Sequence, residues 1–404
     1  MIVFTNVKLK LFTFVNQNKI MDYLQLATQY LEPKLKGKYI YLDIILPLLN
    51  SLNSDFEITE IGKSVQGRAI HQVKIGTGAT KILMWSQMHG NESTTTKGLF
   101  DFFNFLQSDN EIAKRIKSDY TLLCIPMLNP DGAFLYTREN ANKVDLNRDA
   151  FNATQPEMQV LHDVYKSFNP DYCYNLHDQR TIFGTEGFNL PATVSFLSPA
   201  YNEEREYNEV RLKAIHIINR MNYALQVYIP NQIGRFDDSY NVNCTGDYFT
   251  TQNTPTILFE AGHYANDYDR DIVRKFIFIS LLSSFNGSYE NVIVDNEMID
   301  YLKIPQNNKC FYDFIYKNVK IIDNNVEKII NFAAQYTEVV QNGQLKFVAT
   351  ITKIDDLQNF KGHLEYDCKE GLFSSNGIHF PILEEKADFF INNLTEFNNG
   401  VKII

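Results

Sequence analysis

Three side chains of metal-binding type stand at two places in this 404-residue chain. His89 and Glu92 lie three positions apart in MHGNES, and His177 lies in YNLHDQR, 85 positions after Glu92. Imidazole and carboxylate are good zinc ligands, and a catalytic zinc ion takes three protein ligands with a fourth position left for water. A lone histidine is more often an ordinary polar residue near a strand end, but here two occur with a carboxylate. The set predicts one catalytic Zn²⁺ held by His89, Glu92 and His177.

Two arginines and one glutamate could act beside such a metal. Glu260 ends the apolar run TPTILFE, where a charge without a chemical role would be a poorly explained buried group. A carboxylate beside zinc can take a proton from water and later give it to a leaving amine. Arg138 and Arg148 carry planar guanidinium forks that fit a carboxylate, which favours anion capture. For Arg148 alone, a surface salt bridge is the competing interpretation.

Predicted strands lead up to these side chains. KILMWSQ ends immediately before His89, DYCYNLH ends at His177, and TPTILFE ends at Glu260. Amphipathic helical patterns alternate with the strands, as in STTTKGLFDFFNFLQS, where Ser93 is a candidate cap. This alternation predicts an α/β fold with a mostly parallel or mixed twisted sheet and helices on both faces. Functional residues of open α/β sheets gather beyond the carboxyl ends of the strands, where these three side chains stand.

Two domains are predicted from the change of pattern along the chain. Residues 1–290 form the first domain, with a helical lead-in over residues 1–52 in which Pro47 kinks or ends the second helix. Beyond about residue 290, QLKFVATITKI and GHLEYDCKE alternate apolar and polar residues as half-buried antiparallel strands do. Residues 291–404 are therefore expected to be a small β-rich accessory domain. Its leading interpretation is structural, and a binding module is the weaker alternative.

Charge and composition exclude several classes of function. The formal net charge is -10, which disfavours binding to nucleic acid or to anionic membranes. No run of about 20 apolar residues spans a bilayer, and Lys8 and Lys10 interrupt the apolar N-terminus where a signal peptide would lie. The five cysteines are scattered and odd in number, which favours a reducing compartment. We expect a cytoplasmic protein whose natural start is Met1 or Met21, and the oligomeric state stays open.

Further motifs make the pattern specific to one family. After MHGNES the chain gives NPDG at Asn129–Gly132, REN at Arg138–Asn140 and VDLNRD at Val144–Asp149, and GKSVQGRAI precedes them all at Gly62–Ile70. In this order, with the later histidine and the late glutamate, the chain resembles the zinc carboxypeptidase family. The resemblance covers roughly residues 55–285.

The resemblance implies a role for each matching residue. It implies that His89, Glu92 and His177 bind zinc and that Glu260 is the general base. It also implies that Arg138, Asn147 and Arg148 hold the terminal carboxylate of the substrate, with Arg138 counted among the catalytic residues as well. Asp145 matches the acidic residue that orients the first zinc histidine. Tyr240 matches most closely a catalytic tyrosine that closes over the substrate, and Tyr248 is its rival. Asp178, Arg180 and His263 flank the site, either shaping its pocket or serving a structural role.

The implied reaction is zinc-dependent hydrolysis of a C-terminal peptide bond. The alternatives are deacylation of N-acyl amino acids, because the related desuccinylases and aspartoacylases also use HGNE and DLNR, and a metal-free peptide-binding module. In each case the expected partner is a peptide or an acyl amino acid with a free carboxylate. The preferred side chain of the substrate stays open, because the stretch around Thr245–Asp247 that sets it matches the family poorly.

Overall fold

A computed structural model describes residues 22–287 and 294–403. Residues 1–21 of the predicted lead-in over residues 1–52, and the predicted domain boundary at 290, lie outside the described residues. The helices are α1 (Tyr23–Gln29), α2 (Leu42–Leu49), α3 (Thr94–Leu106), α4 (Glu111–Asp119), α5 (Pro130–Leu135), α6 (Pro156–Phe168), α7 (Glu209–Gln226), α8 (Thr245–Thr251), α9 (Val273–Ser284) and α10 (Val294–Lys303). A 3-10 turn spans Leu146–Arg148.

The first nine strands belong mostly to the central sheet. They are β1 (Glu57–Lys63), β2 (Ala69–Ile75), β3 (Thr80–Ser86), β4 (Tyr120–Ile125), β5 (Tyr172–Asp178), β6 (Phe183–Thr185), β7 (Val194–Leu197), β8 (Ile233–Arg235) and β9 (Thr256–Ala261). Among the described residues, eight of them form one sheet in the order β1-β2-β4-β3-β5-β9-β7-β8. The inner strands β4, β3, β5 and β9 are parallel, whereas β1, β2 and β7 join antiparallel. The predicted mixed α/β sheet is confirmed.

Helices cover both faces of this sheet. Successive side chains of a strand point to opposite faces, so each strand contributes to the core on both sides. On β3, Ile82 and Met84 join the core that includes α3, α7 and α9. Leu83 and Trp85 join the core on the other face, with α6 and with Phe249 of α8. The carboxyl ends of the parallel strands therefore stay uncovered at one edge.

The remaining strands form the β-rich C-terminal region. They are β10 (Asn307–Lys309), β11 (Phe311–Asp323), β12 (Val326–Gln341), β13 (Gln344–Ile354), β14 (Lys361–Asp367), β15 (Phe373–Ser374), β16 (Phe389–Ile391), β17 (Thr395–Asn398) and β18 (Val401–Lys402). Four strands pair in the order β13-β12-β11-β14 and four in the order β15-β16-β17-β18. Aromatic side chains including Phe314, Phe332 and Phe389 form the core between these sheets. The predicted β-rich character of this region is confirmed.

Two local predictions at helix ends differ from the structure. Pro47 does not end α2, which continues to Leu49, because proline removes only its own donor and the last turn is still held by the bond from Asn50 N to Leu46 O. Ser93 stands at the N-cap position of α3 without capping it by its side chain. Its hydroxyl instead donates to the Lys38 carbonyl over 2.6 Å, which ties the N-terminal segment to α3.

A buried ion pair joins α3 to α9. Arg274 donates from Nε to Asp101 Oδ2 over 2.9 Å and from Nη2 to Asp101 Oδ1 over 2.5 Å. The same guanidinium donates to the Leu35 carbonyl, so it also holds the N-terminal segment. Burial raises the pKa of Asp101 to about 6 and outweighs the opposing charge of Arg274. The charge of Asp101 is therefore favoured only while Arg274 remains in contact with it.

No helix in the described ranges 22–287 and 294–403 is long and apolar enough to cross a membrane.

Candidate metal centre and active site

The three predicted metal ligands converge at the carboxyl edge of the sheet. His89 Nδ1 lies 2.8 Å from Glu92 Oε1, and His177 Nδ1 lies 2.8 Å from Glu92 Oε2. The two Nδ1 atoms are 3.1 Å apart. Both imidazoles are 2 % exposed. The structure thus brings together side chains that the sequence separates by 85 positions.

This donor set fits a zinc ion. Four ligands bound tetrahedrally at 2.0 to 2.1 Å stand about 3.3 Å from each other, close to the distances between the three donor atoms here. The two Nδ1 atoms and the two Glu92 oxygens all face one another. Each of these atoms has a lone pair that it can give to a metal ion. Burial lowers the pKa of His177, while in His89 the charge of Glu92 and hydrogen bonds to Asp145 and Glu92 outweigh burial and raise it. The residues present can hold one divalent cation.

The loop that carries His89 and Glu92 has an unusual backbone. Gln87, directly after β3, has a φ of 51°, and its amide donates to the carbonyls of Ile40 and Gly90. A Cβ built on Gly90 would lie 1.9 Å from the carbonyl carbon of Gly132. Only glycine permits this approach of two backbones. The HGNE loop is therefore held by the NPDG turn.

The NPDG turn is fixed in its own right. Asn129 donates from Nδ2 to the Met88 carbonyl over 3.1 Å, and its Oδ1 accepts from Gly132 N over 2.8 Å, which caps α5. Asp131 is buried and accepts from Ser64 Oγ and from Arg68, whose Nη1 lies 2.6 Å away. The segment GKSVQGRAI thus supports the turn, and the turn supports the metal loop.

Asp145 holds the far side of the first histidine. His89 Nε2 donates to Asp145 Oδ1 over 3.0 Å, and Arg138 Nε donates to Asp145 Oδ2 over 3.0 Å. Burial raises the pKa of Asp145, but the hydrogen bond from His89 and the charges of His89 and Arg138 outweigh burial and hold it well below its usual value. The carboxylate of Asp145 favours the His89 tautomer that carries its proton on Nε2, which leaves the lone pair of Nδ1 directed toward the other two ligands.

Glu260 lies beside the ligand cluster on the neighbouring strand. It is 9 % exposed, and its Oε2 has no hydrogen-bond partner among the described residues. Burial raises its pKa well above the usual value for a glutamate, and the charges of Glu92 and Asp178 add to this effect. A raised pKa makes the carboxylate form of Glu260 a stronger proton acceptor, which suits a group that accepts and returns a proton.

Arg138, Asn147 and Arg148 stand around the same cavity. Arg138 Nη1 reaches to 3.3 Å from Glu92 Oε1, while the exposed Arg148 donates to the carbonyl of Asn147 over 2.7 Å. Asn147 Oδ1 accepts from Thr245 N over 2.9 Å, which fixes the amide at the start of α8. Two cationic forks and an amide therefore lie within one cavity of about 400 Å³ with the three ligands and the glutamate.

The predicted tyrosine does not line that cavity. Ser239 does, but its neighbour Tyr240 is absent from the lining. The rival Tyr248 stacks on His162 with ring centroids 5.0 Å apart and packs against the core below the sheet. Asp178 and Arg180 line the cavity, whereas His263 is buried against His363 with ring centroids 4.1 Å apart.

The decisive observation on identity is a family match. Residues 45–265, more than half of the chain, match the family model described as zinc carboxypeptidase. The chain belongs to the zinc carboxypeptidase family. The predicted resemblance is therefore confirmed.

Curated relatives of this zinc carboxypeptidase family member match over a short stretch. "Carboxypeptidase 2" of Trichophyton rubrum and "Probable carboxypeptidase 2" of Trichophyton verrucosum are each 25 % identical over 100 residues, which is 24 % of this chain and 19 % of theirs. The match spans about a fifth of the length of these relatives.

Solved structures share the fold at low identity. Thrombin activatable fibrinolysis inhibitor aligns with a TM-score of 0.51 and 11 % identity over 67 % of this chain and 81 % of its own. The metallo-carboxypeptidase from Burkholderia cenocepacia aligns with a TM-score of 0.48 and 17 % identity over 60 % and 67 %. The similarity to thrombin activatable fibrinolysis inhibitor concerns the fold alone.

Sequence reasoning missed the residues that the C-terminal region brings to the site. Glu338 on β12 binds Lys38 Nζ at 2.5 Å and accepts from Tyr136 OH at 2.5 Å. Gln335, also on β12, donates to Thr181 Oγ1 over 2.7 Å. The strands predicted from QLKFVATITKI and GHLEYDCKE correspond to β13 and β14, whereas β12 was not predicted, and no local signal marks which of its side chains face another part of the chain.

Proposed function

We propose that this protein is a zinc-dependent carboxypeptidase that removes the C-terminal residue of a peptide, with His89, Glu92 and His177 as the metal ligands. The observation that carries the proposal is that one cavity contains this ligand set, a buried glutamate and two arginines. A metal site alone supports many hydrolases. Paired guanidinium groups beside it favour a substrate with a free carboxylate.

Zinc, when bound, supplies Lewis-acid polarisation of the scissile carbonyl and acidifies a water molecule. Asp145 keeps His89 in the tautomer that leaves Nδ1 free to bind the metal. Glu260 takes the proton from the attacking water and returns it to the leaving amine, a role for which its raised pKa is suited. Tyr240 stays a candidate for closing over the substrate.

The carboxylate of the substrate is assigned to Arg138, Asn147 and Arg148. Arg148 is exposed and ends in a fork, so it is available to a ligand as it approaches. Because the distance from this group to the metal site is fixed by the fold, the bond that is cleaved is the one next to the chain end.

The chain is proposed to comprise two domains, a catalytic domain over residues 1–290 and an accessory domain over residues 291–404. The accessory region packs against the catalytic region through contacts such as Tyr268 OH to Asp313 Oδ1 at 2.9 Å. A role in bounding access to the site follows from these contacts.

The test is to assay release of C-terminal amino acids from unblocked and blocked peptides beside a set of N-acyl amino acids. The proposal expects release from peptides that end in a free carboxylate and none from the same peptides with a C-terminal amide. Cleavage of N-acyl amino acids alone would overturn it in favour of a deacylase.

A further inference from the structure

A second cavity lies between the catalytic region and the C-terminal β-rich region and adjoins the metal site. It measures about 300 Å³ and shares Glu92, Asp178, Gln179 and Arg180 with the first cavity. Its far wall is formed by strands β11 and β12, including Gln335 and Glu338. We name this space the interdomain cleft. The interdomain cleft therefore adjoins the metal-site cavity at these four residues.

Several charged groups of the interdomain cleft already have partners within the protein. Glu338 binds Lys38 and Tyr136, as described above. Asp313 accepts from Tyr268 OH and from Tyr336 N over 2.7 Å. These groups hold the cleft in shape and are not free for a ligand.

Three acceptor oxygens in the wall lack a partner among the described residues. They are Asn91 Oδ1, Asp178 Oδ1 and Gln335 Oε1. Asp178 and Gln335 are 8 % and 7 % exposed. Asp178 uses only Oδ2, which accepts from Thr94 N over 3.0 Å and Thr94 Oγ1 over 2.5 Å. A buried polar atom without a partner is destabilising, so such atoms are normally satisfied by something bound.

The orientation of Gln335 follows from chemistry. Its Nε2 faces the carboxylate of Asp313, which accepts hydrogen bonds and so requires the amide NH₂ on that side. Oε1 is therefore the atom left without a partner. Among the described residues that line the cleft, one buried donor also lacks a partner, Arg270 Nε. The rest of that guanidinium donates to the carbonyls of Ala261 and Gln179. Arg180 is exposed and can be satisfied by water.

We propose that the interdomain cleft binds a protonated amine of the substrate, on the side of the scissile bond away from the terminal carboxylate. An ammonium group carries donors and a positive charge, which complement a wall whose unpartnered atoms are mostly acceptors and include a carboxylate oxygen. Because Gln335 comes from β12, the C-terminal region takes part in substrate recognition. This inference rests on the proposed function for the placement of the rest of the peptide.

The amine could come from the N-terminus of a short peptide or from a lysine side chain. Two series of peptides distinguish these sources. The first contains peptides of two to five residues, each with a free or an acetylated N-terminus. The second contains acetylated peptides with lysine or norleucine at each position before the scissile bond.

The test measures binding by calorimetry to the zinc-loaded full chain carrying Glu260→Gln, so that the peptide is not consumed. We expect one free-amine peptide, or one lysine position, to bind at least 10-fold more tightly than its neutral counterpart. Thr337→Lys places a cation at the cleft wall and should reduce that ratio to about one. Val339→Lys, exposed on the same strand but outside the lining, should leave it unchanged.

Equal binding of amine and neutral peptides in both series would overturn the inference, as would an unchanged ratio in Thr337→Lys. Turnover of the acetylated norleucine peptides by the unsubstituted enzyme is measured separately. If these are not cleaved, the proposed function fails, while the binding ratio still decides the inference.

Discussion

His177 and Glu260 are direct neighbours across the parallel pair of strands β5 and β9. The register that joins them also pairs Leu176 with Phe259 and Asp178 with Ala261, so His177 and Glu260 lie at the carboxyl ends of both strands. The proposed metal ligand and the proposed proton acceptor are therefore set side by side by backbone hydrogen bonds. Their relative position does not depend on a loop.

Glu260→Gln should abolish turnover while keeping the metal. Removal of a general base lowers the rate by about 10²- to 10⁴-fold, and glutamine preserves the size of the side chain. Steady-state kinetics on a peptide with a free C-terminus, together with zinc analysis of the same sample, check this. The control is Glu203→Gln, an exposed glutamate that does not line the cavity. Turnover within a few-fold of the unsubstituted enzyme would remove Glu260 from its role.

His177→Ala should lower zinc binding from one equivalent to well below one. Two remaining ligands hold zinc far less tightly than three, and the vacated space is open to water. The measurement is metal content by mass spectrometry after dialysis, with His379→Ala in the C-terminal region as the matched control. Less than stoichiometric zinc in the unsubstituted protein, with peptide binding unaffected by chelator, would support a metal-free binding module instead.

Arg148→Met should raise KM for peptides with a free C-terminal carboxylate by about 10- to 100-fold, because a charged hydrogen bond is worth about 1.5 to 3 kcal/mol. The donor to the Asn147 carbonyl is lost as well, so a lysine variant is made in parallel. Binding of the same peptides with a C-terminal amide should change little. An equal loss for acid and amide would show a structural effect in place of carboxylate recognition.

Asp247 should make the folded protein less stable as pH rises through neutrality. Burial raises its pKa to about 7 from an ordinary value of 3.8. The folded state thus holds a proton that the unfolded state releases, so the stabilisation is complete below about pH 4 and is lost as pH rises to and beyond 7. The effect is at most about 4 kcal/mol, since each pKa unit corresponds to 1.36 kcal/mol.

Thermal unfolding of the wild type and Asp247→Asn from pH 4.5 to 8.5 tests this sign. The melting temperature of the variant relative to the wild type should increase with pH. A constant difference across the range would contradict the raised pKa.

Arg274→Met should destabilise the fold by about 3 to 5 kcal/mol, because it leaves Asp101 buried without its partner. Asp101→Asn combined with Arg274→Met should recover part of that loss, since no charge then stays unpaired. Urea unfolding monitored by circular dichroism gives both values. Equal stability of the single and double variants would indicate that the pair does not interact.

The sequence predicted the parts of the site that depend on strands. His89, His177 and Glu260 each follow or end an apolar run, and parallel strands carry their carboxyl ends to one edge. The order of motifs located Asp145, whose contact with His89 then appears in the structure. These predictions rest on local periodicity and on the topology that it implies.

Other features depend on contacts that leave no local pattern. Tyr240 lies in the irregular stretch between β8 and α8, where no periodicity fixes the direction of a side chain. Ser93 does not cap α3 by its side chain, and its hydroxyl donates to the carbonyl of Lys38, which lies in a distant segment. Gln335 and Glu338 likewise contact the catalytic region from more than 150 positions away.

The contact of Gly90 with Gly132 has a consequence for how this protein can change. The metal loop and the NPDG turn meet through bare backbone, so a side chain at Gly90 would collide with the backbone of Gly132 and is expected to displace His89 and Glu92, while one at Gly132 would collide with Asn129 and Glu139. The sequence of one motif is therefore not expected to change without a change in the other. Substitutions that adapt the enzyme to new peptides are therefore expected at the cavity rim and on β12, while these two loops vary only together.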